Sequence, residues 1–447
     1  MAKRRAALAS ARHWLAPGVG VKRWVAVLVI GAGLMGLGVI YVLISAHLLE
    51  LLPERLYQIL ILSFLPVPLR VLAPLLAGGL LLALAVARLS HNLLQPFRQP
   101  GDSLGESLYQ FSRRGRGPVI VAIGGGTGMP SLLRGIKEFT SNITVVVTVA
   151  DDGGSSGRLR QELGLPPPGD FRNNLAALAR DEALMTRVLQ YRFGGSPDGN
   201  GQGELQGHAF GNLLLAALAG VTGSFDEGLV AAERVLALRG RVLPSTLDLV
   251  ALVAEVLAPG PDDELLTRRI VGESAIPRAG GRIEQVYLEP TAPRAYPPAV
   301  QAILQAEMVV MGPGSLYTSI VPNLLVPGIA QAIRHTQALR VYVCNLATQP
   351  GETDGFTVAD HVRAIDRVLG GNYLDVVIAN DRLELPPEKR HQADLVRPDW
   401  PFERRPTQII YTDLVDDERP WRHDSRKLAA VLQRAAAGEL AGRSAPM

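Results

Sequence analysis

Residues 119–137 read Val-Ile-Val-Ala-Ile-Gly-Gly-Gly-Thr-Gly-Met-Pro-Ser-Leu-Leu-Arg-Gly-Ile-Lys, and this stretch decides the fold class. Its β-branched residues predict a buried strand, the glycines after it predict a tight turn, and Pro130 suits the first turn of a helix. A strand, a glycine turn and a helix N-terminus together present backbone N–H groups to an anion. The sequence therefore predicts an anion-binding turn, formed by Gly124, Gly125, Gly126, Thr127 and Gly128.

The chain that follows predicts an α/β domain built on a mostly parallel sheet. A second β-rich run at 143–149 lies at the spacing of a right-handed βαβ unit. Further strand-like runs occur at 306–311, 341–344, 374–379 and 408–411, and the irregular stretch 245–288 predicts a small β insertion. Ligands of parallel sheets bind beyond the carboxyl ends of the strands. We therefore expect the polar turns that end these runs to form one common rim.

The first glycine turn departs from the fingerprint of dinucleotide-binding sites. That fingerprint, Gly-x-Gly-x-x-Gly, requires a sixth glycine, but counting from Gly124 the sixth position is Met129. An NAD-binding protein is therefore a disfavoured interpretation.

Asp151 and Asp152 follow the second predicted strand and precede Gly153, Ser155 and Ser156. The two carboxylates have three interpretations. They can hold a divalent ion such as Mg²⁺ that bridges phosphates, they can bind ribose or base hydroxyls, or they can form Asx turns. Their place at a strand's carboxyl end, opposite another glycine turn, favours ligand contact.

Three further segments carry candidate ligand-binding residues. Asp170 is expected to cap the helix that follows it, while Arg172 and Asn173 in the first turn of that helix could grip an anionic ligand. His208 could act as an acid or base or donate to a phosphate, although a lone histidine is more often a surface or capping residue. Asn212 lies near the start of the next apolar helix.

A second strand-to-helix glycine turn is predicted at 312–319. Gly312 and Gly314 precede the hydroxyl residues Ser315 and Thr318, and the alternatives are ligand contact or a turn with a helix cap. Asn345 ends the next predicted strand and belongs to the same expected rim.

The first 90 residues predict a membrane anchor. No charged residue lies between Trp24 and Ala46, and 71–87 forms a second, shorter apolar stretch. Six Lys or Arg residues and no acid precede Trp24, so the positive-inside rule places both flanks and the main domain in the cytoplasm. A cleaved signal peptide is the alternative, which the long basic leader disfavours. The rest of the chain has a net charge of −3, which argues against a nucleic-acid surface, and the single cysteine, Cys344, suits a reducing compartment.

Five ordered motifs within residues 118–390 resemble those of the YvcK/CofD family. The motifs are Gly124-Gly-Gly-Thr-Gly-x-x-x-Leu-Leu-Arg-Gly135, Thr148-Val-Ala-Asp-Asp-Gly-Gly-Ser-Ser-Gly-Arg158, Pro168-Gly-Asp-x-Arg172-Asn, Gly207-His-x-Phe-Gly-Asn212 and Gly312-Pro-Gly-Ser-Leu-Tyr-Thr-Ser319. The resemblance implies a modified Rossmann-like domain that binds a nucleotide-linked ligand. Its transferase members move phospholactate from a nucleotide diphosphate carrier to a deazaflavin with magnesium. Its YvcK-like members bind UDP-sugars and act in cell-envelope growth, cell shape and carbon metabolism.

The long Asp-Asp-Gly-Gly-Ser-Ser motif and the segment 351–357 resemble the YvcK-like branch more closely. The resemblance therefore implies a UDP-sugar-binding regulator at the inner face of a bacterial cytoplasmic membrane, and a 2-phospho-L-lactate transferase is the alternative if the protein is an enzyme. It is compatible with a homo-oligomer. Two features depart from the family: the N-terminal hairpin with its linker, and the loop Gly194–Gln202, which looks like an insertion.

Together with the composition of the N-terminal segment, the resemblance divides the chain into a two-helix transmembrane hairpin (1–90), a linker (91–117), the nucleotide-binding domain (118–390) and a C-terminal extension of that domain (391–447). It implies three candidate catalytic residues, Asp151, Asp152 and His208, of which the two aspartates are also the candidate metal ligands. The implied ligand-binding residues are Gly124, Gly125, Gly126, Thr127, Gly128, Gly153, Ser155, Ser156, Asp170, Arg172, Asn173, Asn212, Gly312, Gly314, Ser315, Thr318 and Asn345.

Overall fold

The structure is a computed structural model that describes residues 21–49, 53–70, 72–74, 76–81, 117–194, 205–259, 264–386, 388–389, 394–399 and 407–439. The chain forms two compact units, residues 1–113 and 114–447. The predicted insertion loop at 194–202 falls almost entirely outside the described residues.

The first unit contains apolar helices. They are α1 (Val21–Leu48), α2 (Glu54–Leu60) and α3 (Val67–Leu81). Within α1, the 19 residues Ile30–Leu48 have a mean hydropathy of 1.8 and are long and apolar enough to cross a membrane. The first predicted span coincides with this helix, whereas residues 82–87 of the second lie outside the described residues. Two bent helix pairs, 210–235 and 316–335, are long and apolar enough to cross a membrane only if both helices of each pair are counted as one span.

The second unit is built on a sheet of seven parallel strands. They are β1 (Ile120–Gly124), β2 (Ile143–Val147), β3 (Arg241–Pro244), β7 (Met308–Met311), β8 (Leu339–Val343), β9 (Val376–Asn380) and β10 (Gln408–Thr412). Their order across the sheet is β10-β9-β8-β7-β1-β2-β3. The strand order reverses between β1 and β7, which makes this pair the topological switch point of a Rossmann-like sheet. The predicted α/β fold with a mostly parallel sheet is therefore confirmed.

A three-stranded antiparallel sheet is inserted between β3 and β7, as predicted. Its strands β4 (Ala251–Pro259), β5 (Leu265–Val271) and β6 (Arg282–Glu289) pair in the order β5-β4-β6. Strand β3 was not predicted, because its four residues include an arginine and a proline and lack the long apolar run of the central strands.

Helices cover the large sheet. They are α4 (Met129–Ile136), α5 (Gly154–Leu163), α6 (Gly169–Leu178), α7 (Glu182–Leu189), α8 (Phe210–Thr222), α9 (Phe225–Val235), α10 (Pro297–Gln305), α11 (Val321–Leu324), α12 (Pro327–His335), α13 (Val358–Leu369) and α14 (Ser425–Ala436). Strands β1 and β7 are buried along their whole length, which explains their continuous apolar runs. Helix α14 packs on α4 so closely that a Cβ on Gly135 would lie 2.3 Å from the carbonyl oxygen of Ser425.

Candidate functional site

The two predicted glycine turns lie against each other at the switch point. A Cβ on Gly128 would lie 2.7 Å from the carbonyl oxygen of Pro313, so only glycine allows this approach of the two backbones. Gly126 has a φ of +66°, a conformation that favours glycine. Met129 is fully buried, with its methyl group 2.5 Å from where a Cβ of Gly124 would be. The methionine that breaks the dinucleotide fingerprint therefore packs beneath the turn.

Asp170 does not cap helix α6, contrary to the prediction. The helix begins at Gly169, and Pro168 stands at its N-cap position without a side-chain cap. The Asp170 carboxylate instead accepts a hydrogen bond from the backbone N–H of Gly126. Burial, with the charge of Asp151, raises the pKa of Asp170 to about 6. A protein carboxylate is therefore in contact with the turn predicted to bind an anion.

The two adjacent aspartates point to different parts of the molecule. Asp151 accepts a hydrogen bond from the N–H of Gly153 over 2.9 Å, which is an Asx turn, and another from the Ser156 hydroxyl. Asp152 accepts from the N–H of Ser274 over 2.9 Å and so ties the inserted sheet to the rim. Burial raises the pKa of Asp151, against the hydrogen bonds that lower it. Asp151 therefore stays at the rim, whereas Asp152 connects the rim to the inserted sheet.

The described residues contain no group of three or more His, Cys, Asp or Glu side chains arranged to hold a metal ion. Magnesium commonly binds through one or two carboxylates together with ligand phosphates. The charges of Asp151 and Asp170 interact, so the two carboxylates are close to each other. A pair of nearby carboxylates is compatible with magnesium bound together with ligand phosphates. The magnesium assignment to Asp151 and Asp152 stays a prediction.

A buried polar network connects α5, α6 and α8. His208 Nδ1 lies 3.1 Å from the Ser155 hydroxyl, which also accepts from Asn212 Nδ2 over 3.0 Å. Asn212 Oδ1 in turn accepts from Arg172 over 3.1 Å. Burial and the charge of Arg158 lower the pKa of His208, so a neutral imidazole can accept the Ser155 proton at Nδ1. The network therefore joins His208 to Arg172 through neutral side chains.

Arg172 is the cation of this network, and it is only 9% exposed. It donates to the amide oxygens of Asn212 and, over 3.2 Å, of Asn173, while its Nε has no partner among the described residues. Its charge interacts with those of Asp151 and Asp170. Arg172 is therefore a buried cation with one unsatisfied donor close to the acids of the rim.

The second glycine turn is stabilised by protein groups. Asn345 Oδ1 accepts from the N–H of Gly314 over 3.2 Å, and the Ser315 hydroxyl accepts from the N–H of Thr318 over 3.3 Å. Ser315 also donates to Glu352, and Thr318 donates to Glu352 over 3.3 Å. The helix-cap alternative for this turn is therefore observed, and ligand contact by its hydroxyls stays a prediction.

Glu273 is a site residue that the sequence did not indicate. It lies in the turn after β5, half-buried, within hydrogen-bond contact of Thr318 and close to Asp151 and Asp170. Burial, with those two charges, raises the pKa of Glu273 to about 7. The Thr318 hydroxyl has one proton, which it donates to Glu352. A protonated Glu273 can therefore donate to the Thr318 oxygen. The only local signal was an acid after a strand in an irregular segment, which does not identify a site.

The structure thus brings the predicted residues of the β1, β2, β7 and β8 ends together on one rim, with α6 and the start of α8 beside them. Thr127 is exposed at the tip of the first turn, and Asn173 contacts Arg172. Glu273 and Glu352 add two acids that were not among the predicted site residues.

Comparison with known proteins gives consistent results. The family model of 2-phospho-L-lactate transferase CofD matches residues 120–415. A "Putative gluconeogenesis factor" of Nostoc sp. is 45% identical over 437 residues, covering 94% of this chain and 91% of that one. The "Gluconeogenesis factor" of Bacillus subtilis is 42% identical, covering 71% of this chain and 98% of that one. A crystal structure of a UPF0052-family protein from Bacillus halodurans superposes with a TM-score of 0.62 at 40% identity, covering 71% of this chain and 98% of that one.

Proposed function

The chain belongs to the CofD family, with the gluconeogenesis factors among its relatives, and on this premise we propose that it is a membrane-anchored regulator that binds a UDP-sugar. The proposed ligand site is the crevice at the switch point between β1 and β7. The regulator would link the availability of this nucleotide-sugar to cell-envelope growth, cell shape and carbon metabolism.

One observation carries the proposal: two glycine-rich turns lie against each other at the switch point of a Rossmann-like sheet, and the buried Arg172 interacts with Asp170, which contacts the first of them. Arg172 supplies positive charge, and the starts of α4 and α5 have no side-chain caps. Helix N-termini and guanidinium groups both favour phosphate oxygens. The surrounding acids Asp151 and Asp170 would repel a bare diphosphate, so we expect a divalent cation such as Mg²⁺ to accompany the ligand.

A regulatory role is favoured over transfer chemistry because the chain is similar to two gluconeogenesis factors over nearly their whole length. The two relatives described as gluconeogenesis factors are 42–45% identical and covered over at least 91% of their own length. The phospholactate transferase is supported only by the family model, over residues 120–415. The transferase is the second candidate function. In it the site would hold a nucleotide diphosphate carrier and a deazaflavin, and in-line transfer of the phospholactate group would depend on positioning and charge neutralisation.

Membrane anchoring is part of the proposal and rests on α1. The alignment with the Nostoc relative covers 94% of this chain. It therefore includes most of the residues before β1. The Bacillus subtilis relative is covered over 98% of its length by only 71% of this chain, so most of the N-terminal segment has no counterpart there. The basic flanks of the apolar stretches would place the second unit on the cytoplasmic side of the bacterial inner membrane.

Calorimetry on the full chain in detergent micelles with Mg²⁺ tests the proposal. We expect UDP-N-acetylglucosamine to bind more tightly than GDP or NAD, and EDTA to weaken this binding. If no UDP-sugar binds, the proposal is wrong. Deazaflavin-dependent consumption of a phospholactate–nucleotide conjugate would instead establish the transferase.

A further inference from the structure

Glu352 already occupies the anion position of the second glycine turn. Its side chain is 8% exposed. Its carboxylate accepts hydrogen bonds from the Ser315 hydroxyl and from the backbone N–H groups of Tyr317 and Thr318. These N–H groups begin the helical segment after the turn, where negative charge is favourable. The carboxylate therefore takes up the donors that a ligand phosphate would need.

A second acid, Glu273, lies near Glu352, and with a pKa of about 7 it is partly ionised at neutral pH. Glu273 reaches the same threonine side chain from the turn after β5. A phosphate placed here would meet like charge at close range, and its repulsion is weakly screened in a partly buried site. Sugar hydroxyl groups, in contrast, can donate hydrogen bonds to carboxylate oxygens at no such cost.

Arg172 lies at another part of the rim, where its charge interacts with those of Asp151 and Asp170. Arg172 is more than nine-tenths buried, its Nε has no partner among the described residues, and it connects through Asn212 to the first turn of α5. Helix α5 has ten residues and no side-chain cap. Arg172 and the uncapped start of α5 therefore favour an anion here, provided that a cation such as Mg²⁺ neutralises Asp151 and Asp170.

We infer that Glu352 is a specificity-determining residue that sets the direction of the ligand across the crevice. The diphosphate lies beside Arg172 and the start of α5, and the uncharged, hydroxyl-bearing sugar lies toward Thr318 and Glu273. The inference rests on the proposed function, since it assigns each part of a nucleotide-sugar to one side of the same site.

Glu352→Gln tests the inference, because the amide keeps the size of the side chain and one acceptor oxygen but removes its charge. We expect the full chain in detergent micelles with Mg²⁺ to bind inorganic pyrophosphate at least tenfold more tightly after this substitution. We also expect the preference for UDP-N-acetylglucosamine over UDP to fall at least tenfold. The exposed Glu384 provides the matched control, Glu384→Gln, which should change neither value.

Glu352→Asp separates charge from support of the turn. It keeps the charge but shortens the side chain, so a purely structural role predicts similar changes in the aspartate and glutamine variants. The inference instead predicts that only the glutamine variant gains pyrophosphate affinity. It is overturned if Glu352→Gln melts like the wild type and gains none, or if both variants gain equally. Failure of the wild type to bind any UDP-sugar would overturn the proposed function, whereas the pyrophosphate comparison would still decide whether Glu352 excludes anions from this turn.

Discussion

The carboxylate of Asp170 accepts a hydrogen bond from the backbone N–H of Gly126, inside the turn that the sequence marks for an anion. Carboxylates also contact the glycine-rich turns at 153–157 and 312–319, where Asp151 accepts from the N–H of Gly153 and Glu352 accepts from the Ser315 hydroxyl. Each turn therefore contacts a protein carboxylate. A ligand phosphate can enter the turns at Gly126 and Gly153 only if a proton or a cation neutralises Asp170 and Asp151, because two adjacent anions repel each other.

Asp170→Asn should stabilise the protein at neutral pH. The pKa of Asp170 is about 6 against an ordinary 3.8, so its stabilising contribution is complete below pH 3.8 and is lost as the pH rises through 6. The asparagine variant should gain about 1–3 kcal/mol at pH 8, given about 1.4 kcal/mol per pKa unit. Thermal unfolding at pH 5 and pH 8 measures this, with the exposed Asp381→Asn as control. An equal gain at both pH values would contradict the assignment.

Gly128→Ala should destabilise the second unit. Its new Cβ would lie 2.7 Å from the Pro313 carbonyl oxygen and 3.0 Å from Gly314 Cα, and neither backbone atom can move independently. We expect a loss of about 1–3 kcal/mol in the free energy of unfolding, as for other overpacked sites. Denaturant unfolding followed by tryptophan fluorescence checks this. Gly220→Ala, where no atom lies within 4 Å, should be neutral or stabilising; a similar loss there would refute the explanation.

Arg172→Gln should reduce UDP-sugar affinity at least tenfold. The substitution removes a buried charge whose Nε donor is unused by the described residues, and charge-assisted hydrogen bonds to phosphate are strong. Calorimetry measures the change, and the exposed Arg187→Gln is the matched control. Unchanged affinity in a folded Arg172→Gln protein would remove Arg172 from the ligand site.

Asp152 can be tested for two roles separately. Asp152→Ala removes the acceptor of the Ser274 N–H, so amide hydrogen exchange in the turn after β5 should become faster. Asp152→Asn keeps an oxygen acceptor and should preserve slow exchange. If Asp152 also binds a metal ion, the asparagine variant should still lose Mg²⁺-dependent ligand affinity. Normal affinity in that variant would leave Asp152 only its structural role.

Leu34→Arg with Met35→Arg should move the full chain from the membrane fraction to the soluble fraction. Both side chains lie in α1, and an arginine at the centre of a span costs about 2.5–3.5 kcal/mol. Carbonate extraction followed by immunoblotting gives the distribution. Leu265→Arg with Leu266→Arg, at exposed leucines of the inserted sheet, is the matched control. Retention of the α1 variant in the membrane would argue against α1 as the anchor.

The sequence by itself determined the sheet strands other than β3, the two glycine turns and the position of the rim. These features follow from local rules: β-branched runs favour buried strands, and glycines provide the conformations that tight turns require. Because parallel strands end at one edge, the polar residues that follow them had to lie together. The inserted sheet was also predictable as an irregular, partly strand-like segment.

Only the tertiary structure decided which acids contact the turns. Glu352 is 37 residues from Ser315, and Ser274 is 122 residues from its acceptor Asp152. Such partners depend on how the insertion folds back over the rim and on the reversal of strand order that sets β7 beside β1. The same dependence makes Asp170 a partner of Gly126 rather than a helix cap. Local residue preferences carry no information about these long-range contacts, because side chains far apart in the chain become neighbours only when the sheet has formed.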